Sequence, residues 1–522
     1  MFRFLLRALL VVAAAPVLAA KPAAPDVLYY SGDKQLLFDW NYVPQANYYE
    51  VWFKANSGAA WAKFGERPSW NPHWVQNISA HLLNWADMRW EVKACNPSGC
   101  TGTGPIDIGS TIVLTPIFFT KAQPKNFDRL GETVAVSEDA QTAIASTWSQ
   151  VIVFHRVGGQ WKREAALQPA RQEPGTVSSV AISGDGNVVV VGYPEELNYD
   201  EGVSDPPRGA VFVFRRNGST WTEERRLVAP RGRLYGNSVG ISEAGDRITI
   251  DYFRDEVEDA NSATDILTRS ATGWSTATIV NPGATYCTPN RLSGDGQTIA
   301  RRCSYGGAVR AELLGAENAW GLRTSFPLQL PYSPTGYSWG PLAVNYDAST
   351  LVSPAYPAPV AESNYQAANW APQAAVFRRT GSAWQQVATL KPDRFQYTNY
   401  SSRSLFGERI ALSRNGEYIA VGDQHSTVQG LVEPPPTAQS GNFPHGGVYV
   451  FERNGNGYRL RRHVGVTTQS PNDADPILGG LAFGDAGKTL AIGHPGARSN
   501  GQGCCEGRND TSLNHAGALW LY

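Results

Sequence analysis

The stretch VAISGDGNVVVVG, Val180–Gly192, consists of two apolar strands joined by a short polar turn, and its reading decides the fold. Ser, Gly, Asp and Asn at a chain reversal between apolar runs are the signature of a β-hairpin. The phrase recurs as VAVSEDAQTAIA from Val134, VGISEAGDRITID from Val239, RLSGDGQTIA from Arg291, AVNYDASTLV from Ala343, IALSRNGEYIAVG from Ile410 and LAFGDAGKTLAIG from Leu481. The equivalent turn positions are Ser137, Ser183, Ser242, Ser293, Asn345, Ser413 and Gly484, about 58 residues apart on average. A period of that length, built of strands without a helical pattern, predicts an all-β chain with a seven-bladed β-propeller.

Each copy is followed by a second pair of strands. The third strand and its turn read VIVFHRVGGQW (Val151–Trp161), VFVFRRNGSTW (Val211–Trp221), DILTRSATGW (Asp265–Trp274), AVFRRTGSAW (Ala375–Trp384) and VYVFERNGNGY (Val448–Tyr458), with a degraded copy from Val309. The aromatic residue opens the fourth strand. The seventh copy ends the chain at ALWLY, so its blade lacks an outer strand. The segment IVLTPIFFTKAQP, Ile112–Pro124, has the ending of a fourth strand and is expected to close the seventh blade, pairing an edge that would otherwise stand open.

Ahead of the repeats, Arg3 and Arg7, the apolar run Ala8–Ala15 and small residues at Ala19 and Ala20 predict a signal peptide over 1–20. No later run is long and apolar enough for a transmembrane segment. The expected location is therefore periplasmic, extracellular or at the cell surface. A net charge of −1 and a pI near 6.7 supply no basic field for nucleic acid. Six cysteines in an exported chain suit disulfides. Cys95 and Cys100 flank NPSG and can staple a hairpin; Cys287 and Cys303 stand opposite each other if the fourth turn centres on Asp295. Cys504 and Cys505 are adjacent, and either bond to each other or pair with another chain.

Residues 21–110 alternate differently, as LLFDWNYV, ANYYEVWF and RWEVKACNPSGC between turn-rich segments, which predicts a small sandwich. With Trp40 on an early strand, Tyr49 and Val51 on the next, and WEVKACNPSG from Trp90, this region resembles a fibronectin type III domain. Trp90 stands where that family usually has tyrosine. Residues 111–522 resemble the FG-GAP repeats of integrin α-chain heads and of exported bacterial proteins. Leu130-Gly131, Tyr235-Gly236 and Phe406-Gly407 occupy the FG position, while VGYP (Val191–Pro194) and IGHP (Ile492–Pro495) are similar to GAP. The resemblance implies a seven-bladed ring and adhesion-type binding. It does not bring calcium sites, since SGDG, SEAG and SRNG lack the aspartates of a DxDxDG loop.

Strand alternation puts the first-to-second and third-to-fourth turns at one face and every other connection at the opposite face. The long segments Tyr193–Gly209, Ser353–Ala374, Lys391–Leu405, Asp423–Gly446 and His494–Gly517 therefore share a face. Aromatics from these and neighbouring connections, Tyr193, Tyr199, Tyr235, Tyr252, Tyr337, Trp339, Trp370 and Tyr397, are the candidate ligand-binding residues. Two acidic stretches, one containing Glu195, Glu196 and Asp200 and the other Asp255 and Glu256, read as solvated loops. His425, His445, His494 and His515 read as scattered. No GxSxG, HExxH or P-loop occurs. The expectation is a monomeric, non-enzymatic binding protein for a protein or glycan, with no catalytic residues, metal or cofactor. The alternative is a secreted glycosidase or lyase using the same face.

Overall fold

A computed structural model describes residues 20–32, 35–56, 58–79, 81–82, 88–108, 117–158, 160–169, 175–196, 208–228, 232–253, 262–280, 286–287, 290–305, 308–328, 342–355, 373–391, 406–423, 431–432, 447–465, 478–498 and 512–522. The chain is all-β: among the described residues the only other regular elements are the short 3-10 turns Ala316–Asn318 and Asp485–Gly487. No helix among them is long and apolar enough to cross a membrane. The chain divides into two compact units, Met1–Thr115 and Pro116–Tyr522.

Among its described residues the first unit has two antiparallel sheets. One orders Val27–Gly32, Gln35–Trp40 and His73–Asn77; the other orders Ala62–Pro68, Tyr48–Lys54, Arg89–Asn96 and Gly99–Gly102, with Ile106–Asp107 beside Arg89–Asn96. Period-two alternation builds the core: Leu36, Phe38 and Trp40 from one sheet meet Tyr49, Val51, Trp90, Val92 and Ala94 from the other. Cys95 lies opposite Cys100 in the register and is disulfide-bonded to it.

Among its described residues the second unit has seven antiparallel sheets, met in chain order. The second, holding Val180–Gly192, is typical: Ser179–Ile182, Val188–Tyr193, Ala210–Asn217 and Thr220–Leu227 pair in sequence. Its second strand is buried along its whole length, whereas its fourth is largely open to solvent. A strand covered on both faces needs an unbroken apolar run, which VVVV supplies. In the fourth sheet Cys287 faces Cys303 and is bonded to it. The last sheet orders Leu481–Gly484, Thr489–His494, Ala518–Leu521 and Ile117–Phe119, so the segment ahead of the first repeat supplies the fourth strand. Phe119 is buried there against Phe154 of the first sheet, at 4.4 Å between ring centroids.

The repeated turn residues act on their own backbone. Ser183 Oγ donates to Asp185 at 2.6 Å and accepts the Val188 N–H at 3.0 Å. The same pair of bonds recurs at Ser137, Ser242, Ser293 and Ser413, and Asn345 substitutes its amide. Burial pushes the Asp185 carboxyl up, but the bonds from Ser183 and Asn187 outweigh it and hold the group below its usual range. Neighbouring turns are also joined: Glu138 N donates to Gly184 O, Gly184 N to Glu243 O, Glu243 N to Gly294 O, Tyr346 N to Arg414 O and Asp485 N to Glu138 O.

Glycines at sheet-to-sheet contacts take positive φ or leave no room for a side chain. Gly131, Gly236 and Gly407 take φ of 99°, 94° and 98°, a region that favours glycine. A Cβ on Gly192 would lie 2.0 Å from Gly236 O, and one on Gly493 would lie 1.9 Å from Gly131 O. The motif thus marks where the backbone of one sheet touches that of the next, and the seventh touches the first as the second touches the third.

Candidate functional site

Three of the eight candidate aromatics are described, and all three turn inward. Tyr193, Tyr235 and Tyr252 are 0%, 3% and 7% exposed. Tyr193 ends a fully buried strand, packs edge-on against Phe212 and donates to Ser149 O at 3.1 Å. Tyr235 and Tyr252 donate to Asp265 at 3.1 and 3.3 Å, and Thr278 Oγ1 adds a third bond at 2.7 Å. Burial and the nearby carboxylates raise the Tyr193 and Tyr235 hydroxyls well above the ordinary tyrosine value, so they stay protonated donors. The apolar run VVVVGY was a signal that Tyr193 closes a buried strand. Tyr199, Tyr337, Trp339, Trp370 and Tyr397 lie outside the described residues, as do Cys504 and Cys505.

The aromatics that do face solvent at this end were missed in the sequence. Trp148 is 56% and Phe127 60% exposed. Trp148 sits between the second and third strands of the first sheet, and Phe127 ahead of that sheet's first strand, so both belong to the long-connection end. Their loops are tied together: Trp148 N donates to Asp128 O at 3.0 Å, and Phe127 N donates to Asn514 O at 2.8 Å. Phe127 stacks on His515 with centroids 5.5 Å apart and planes 11° from parallel. Phe127, Arg129 and His515 hold φ of 64°, 54° and 48°, a left-handed conformation costly for side-chain-bearing residues. The exposed Trp148 is thus tied by its backbone to the residue after the stacked Phe127, and exposed aromatic rings suit contact with rings and apolar faces.

Charge at the same end is arranged in two ways. Of the acidic stretch, Glu196 is buried and paired with Arg226 at 3.3 Å, which makes it structural; Glu195 is also described, and Asp200, Asp255 and Glu256 fall outside the described residues. Arg291, in the first strand of the fourth sheet, and Arg409, just ahead of that of the sixth, lie close enough for their charges to repel. Burial lowers the pull of Arg291 on its proton; the charge of Asp251 opposes that effect and the charge of Arg409 adds to it.

At the turn end an ion pair spans distant sheets. Arg414 Nε donates to Glu243 at 2.9 Å, joining the turns of the sixth and third sheets, and the same guanidinium stacks on Tyr346 at 3.8 Å. Glu138 is raised above the usual carboxylate range by burial and by the charges of Glu243 and Asp485, against the Ala486 N–H bond and Arg414.

Among the described histidines, His494 is buried with neither ring nitrogen hydrogen-bonded, and burial, with His515 adding, lowers its pKa to about 4. His425 and His445 lie outside the described residues. The one cluster with metal-ligand spacing among the described residues is Glu50, Cys95 and Cys100, and its sulfurs are committed to a disulfide.

No family model matches this chain, and no curated protein matches it in sequence. Solved structures with a similar fold include hydrazine synthase of Kuenenia stuttgartiensis, at 12% identity over 71% of this chain and 93% of that one, with a TM-score of 0.46. The RRP9 WD40 repeats align at 10% identity over 78% of this chain and 98% of theirs, with a TM-score of 0.47. The Cps50 (Swd1) β-propeller domain of Myceliophteria thermophila aligns at 10% over 77% of this chain and 98% of that one, with a TM-score of 0.45. These are structures of mixed function, and nothing about activity or partners is taken from them.

Proposed function

We propose that the chain is an exported, non-enzymatic binding or adhesion protein, with a fibronectin type III-like module ahead of a seven-bladed FG-GAP-type propeller that recognises a protein or glycan through its long-connection end. Support for the ring comes from the serial bonds between turns, the matching glycine approaches at Gly192 and Gly493, and the strand Ile117–Phe119 in the last sheet. The observation that carries the binding reading is the exposed Trp148 and the Phe127-His515 stack, their loops joined by the bond from Trp148 N to Asp128 O, at the strand ends opposite the repeated turns. Solvent-facing aromatics on a rigid frame place a large contact area at low entropic cost.

The test is retention of the mature protein on glycan and extracellular-protein arrays, with released products assayed in parallel. Retention without turnover is the expected result. Turnover of any polysaccharide, abolished by one carboxylate substitution at this end, would overturn the reading in favour of a secreted carbohydrate-active enzyme.

A further inference from the structure

We propose that a cleft between the first and second sheets is a docking site for a partner polypeptide that presents an aromatic side chain beside a basic one. The site is separate from the aromatic surface at the strand ends and does not depend on it. The cleft, of about 390 Å³, opens between the end of the first sheet's fourth strand, Gln160–Leu167, and the second sheet's Ala210–Asn217 and Thr220–Leu227. Its lining includes Ala165, Ala166, Leu167, Phe214, Trp221 and Glu223. Leu167 and Phe214 are buried, and the Trp221 indole is held in place by its N–H, which donates to Glu164 at 2.9 Å.

Two other sheet contacts show what such a place holds. Leu167 pairs with Val151, as Phe119 pairs with Leu519 in the last sheet and Phe326 with Ala311 in the fourth, so the three occupy the same step of their fourth strands. Phe119 lies against Phe154 and Trp161 of the first sheet, at 4.4 and 5.7 Å between ring centroids. Phe326 lies against Phe377 and Trp384 of the fifth, at 5.2 and 5.3 Å. In register, Phe214 is the equivalent of Phe154 and Phe377, and Trp221 of Trp161 and Trp384. Between the first and second sheets the chain therefore supplies the phenylalanine and the tryptophan but not the third ring. Leu167 takes that ring's position, and Ala165 and Ala166 before it add little bulk, so the cleft stays open. A ring brought by a partner would complete the trio, burying apolar surface and gaining an aromatic contact. Charge at the rim decides what stands beside that ring. Glu223 is exposed and has no ion pair among the described residues, so it offers a carboxylate to a neighbouring guanidinium or ammonium.

The experiment measures the binding of blocked dipeptides, acetyl-Phe-Arg-amide, acetyl-Ala-Arg-amide and acetyl-Phe-Glu-amide, to the protein by ligand-observed NMR at low ionic strength. Saturable binding of the Phe-Arg peptide is expected, about tenfold tighter than Ala-Arg because the ring is the anchor. It is expected to be about threefold tighter than Phe-Glu, as befits a charge at an exposed rim. Leu167→Phe gives the chain its own ring where Phe119 and Phe326 have theirs, and is expected to weaken Phe-Arg about tenfold without lowering the melting temperature. Absence of binding, or equal affinity for the Phe-Arg and Ala-Arg peptides, overturns the proposal, as does unchanged affinity in Leu167→Phe. Should that variant not fold, Glu223→Lys on the exposed rim decides: its preference is expected to turn towards the Phe-Glu peptide, and the wild-type order retained there refutes the site.

Discussion

The two ends of the Pro116–Tyr522 unit come from the same repeats, yet they bond their polar groups differently. At the turn end, Ser183 is matched with Asp185, Arg414 with Glu243 and one turn with the next, although Arg216 and Arg247 each keep a buried Nε without a hydrogen bond. At the long-connection end, His494 has neither nitrogen bonded, Arg409 keeps an unbonded Nε, Phe127 and His515 hold left-handed backbone, and Trp148 faces water. The turn end draws its hydrogen bonds from a repeated six-residue phrase, whereas the other end has no common phrase and is settled side chain by side chain.

Acid should separate the ends most strongly. His463 and His494, both at the long-connection end, have pKa values lowered to about 4 from 6.5, chiefly by burial. A folded pKa below the unfolded one means the unfolded chain binds more protons, so stability is fully present above about pH 6.5 and is lost as pH falls towards 4. The loss is on the order of 3 kcal/mol per histidine. The turn-end carboxyls Asp185 and Asp347 are instead held below 3.8, where hydrogen bonds outweigh burial, so their contribution is lost only under stronger acid. Denaturant midpoints measured from pH 7 to 4 should fall, and His494→Leu should flatten the slope. A flat wild-type profile would break the contrast.

A smaller effect is expected at the turns. Ser183→Ala removes a donor to Asp185 and an acceptor for the Val188 N–H, and should cost about 1–2 kcal/mol in equilibrium unfolding. The seventh turn tests the same point from the other side, because Gly484 offers no hydroxyl and the chain there forms the 3-10 turn Asp485–Gly487. Gly484→Ser should therefore fail to stabilise: a Cβ there would stand 2.7 Å from Ser137 O.

Trp148→Ala should change stability least, within about 0.5 kcal/mol, because the ring is exposed. Its effect should appear as lost retention on whichever array surface captures the wild type. Retention equal to wild type would leave the aromatic surface without a role.

Legibility in the sequence followed the range of the interactions. Val180–Gly192 showed its hairpin because strand alternation and turn chemistry are satisfied within a few residues. Cys287 and Cys303 could be paired because register propagates from a turn. Ile117–Phe119 could be placed because an unpaired edge needs a strand. Tyr193, Tyr235 and Tyr252 were singled out for their place at loop mouths, but packing between sheets drew their rings inside, where Phe212 and Asp265 hold them.

By itself, then, the sequence determined the strands, the repeat and the two cysteine pairings, since each depends on a local period or on register counted from a turn. Only the tertiary structure decided which aromatics at the strand ends face water, that Gly493 and Gly131 are in contact, and that Arg414 of the sixth sheet bonds Glu243 of the third. Those outcomes depend on how seven sheets pack around one another, and no periodicity along the chain encodes the distance between residues more than a hundred positions apart.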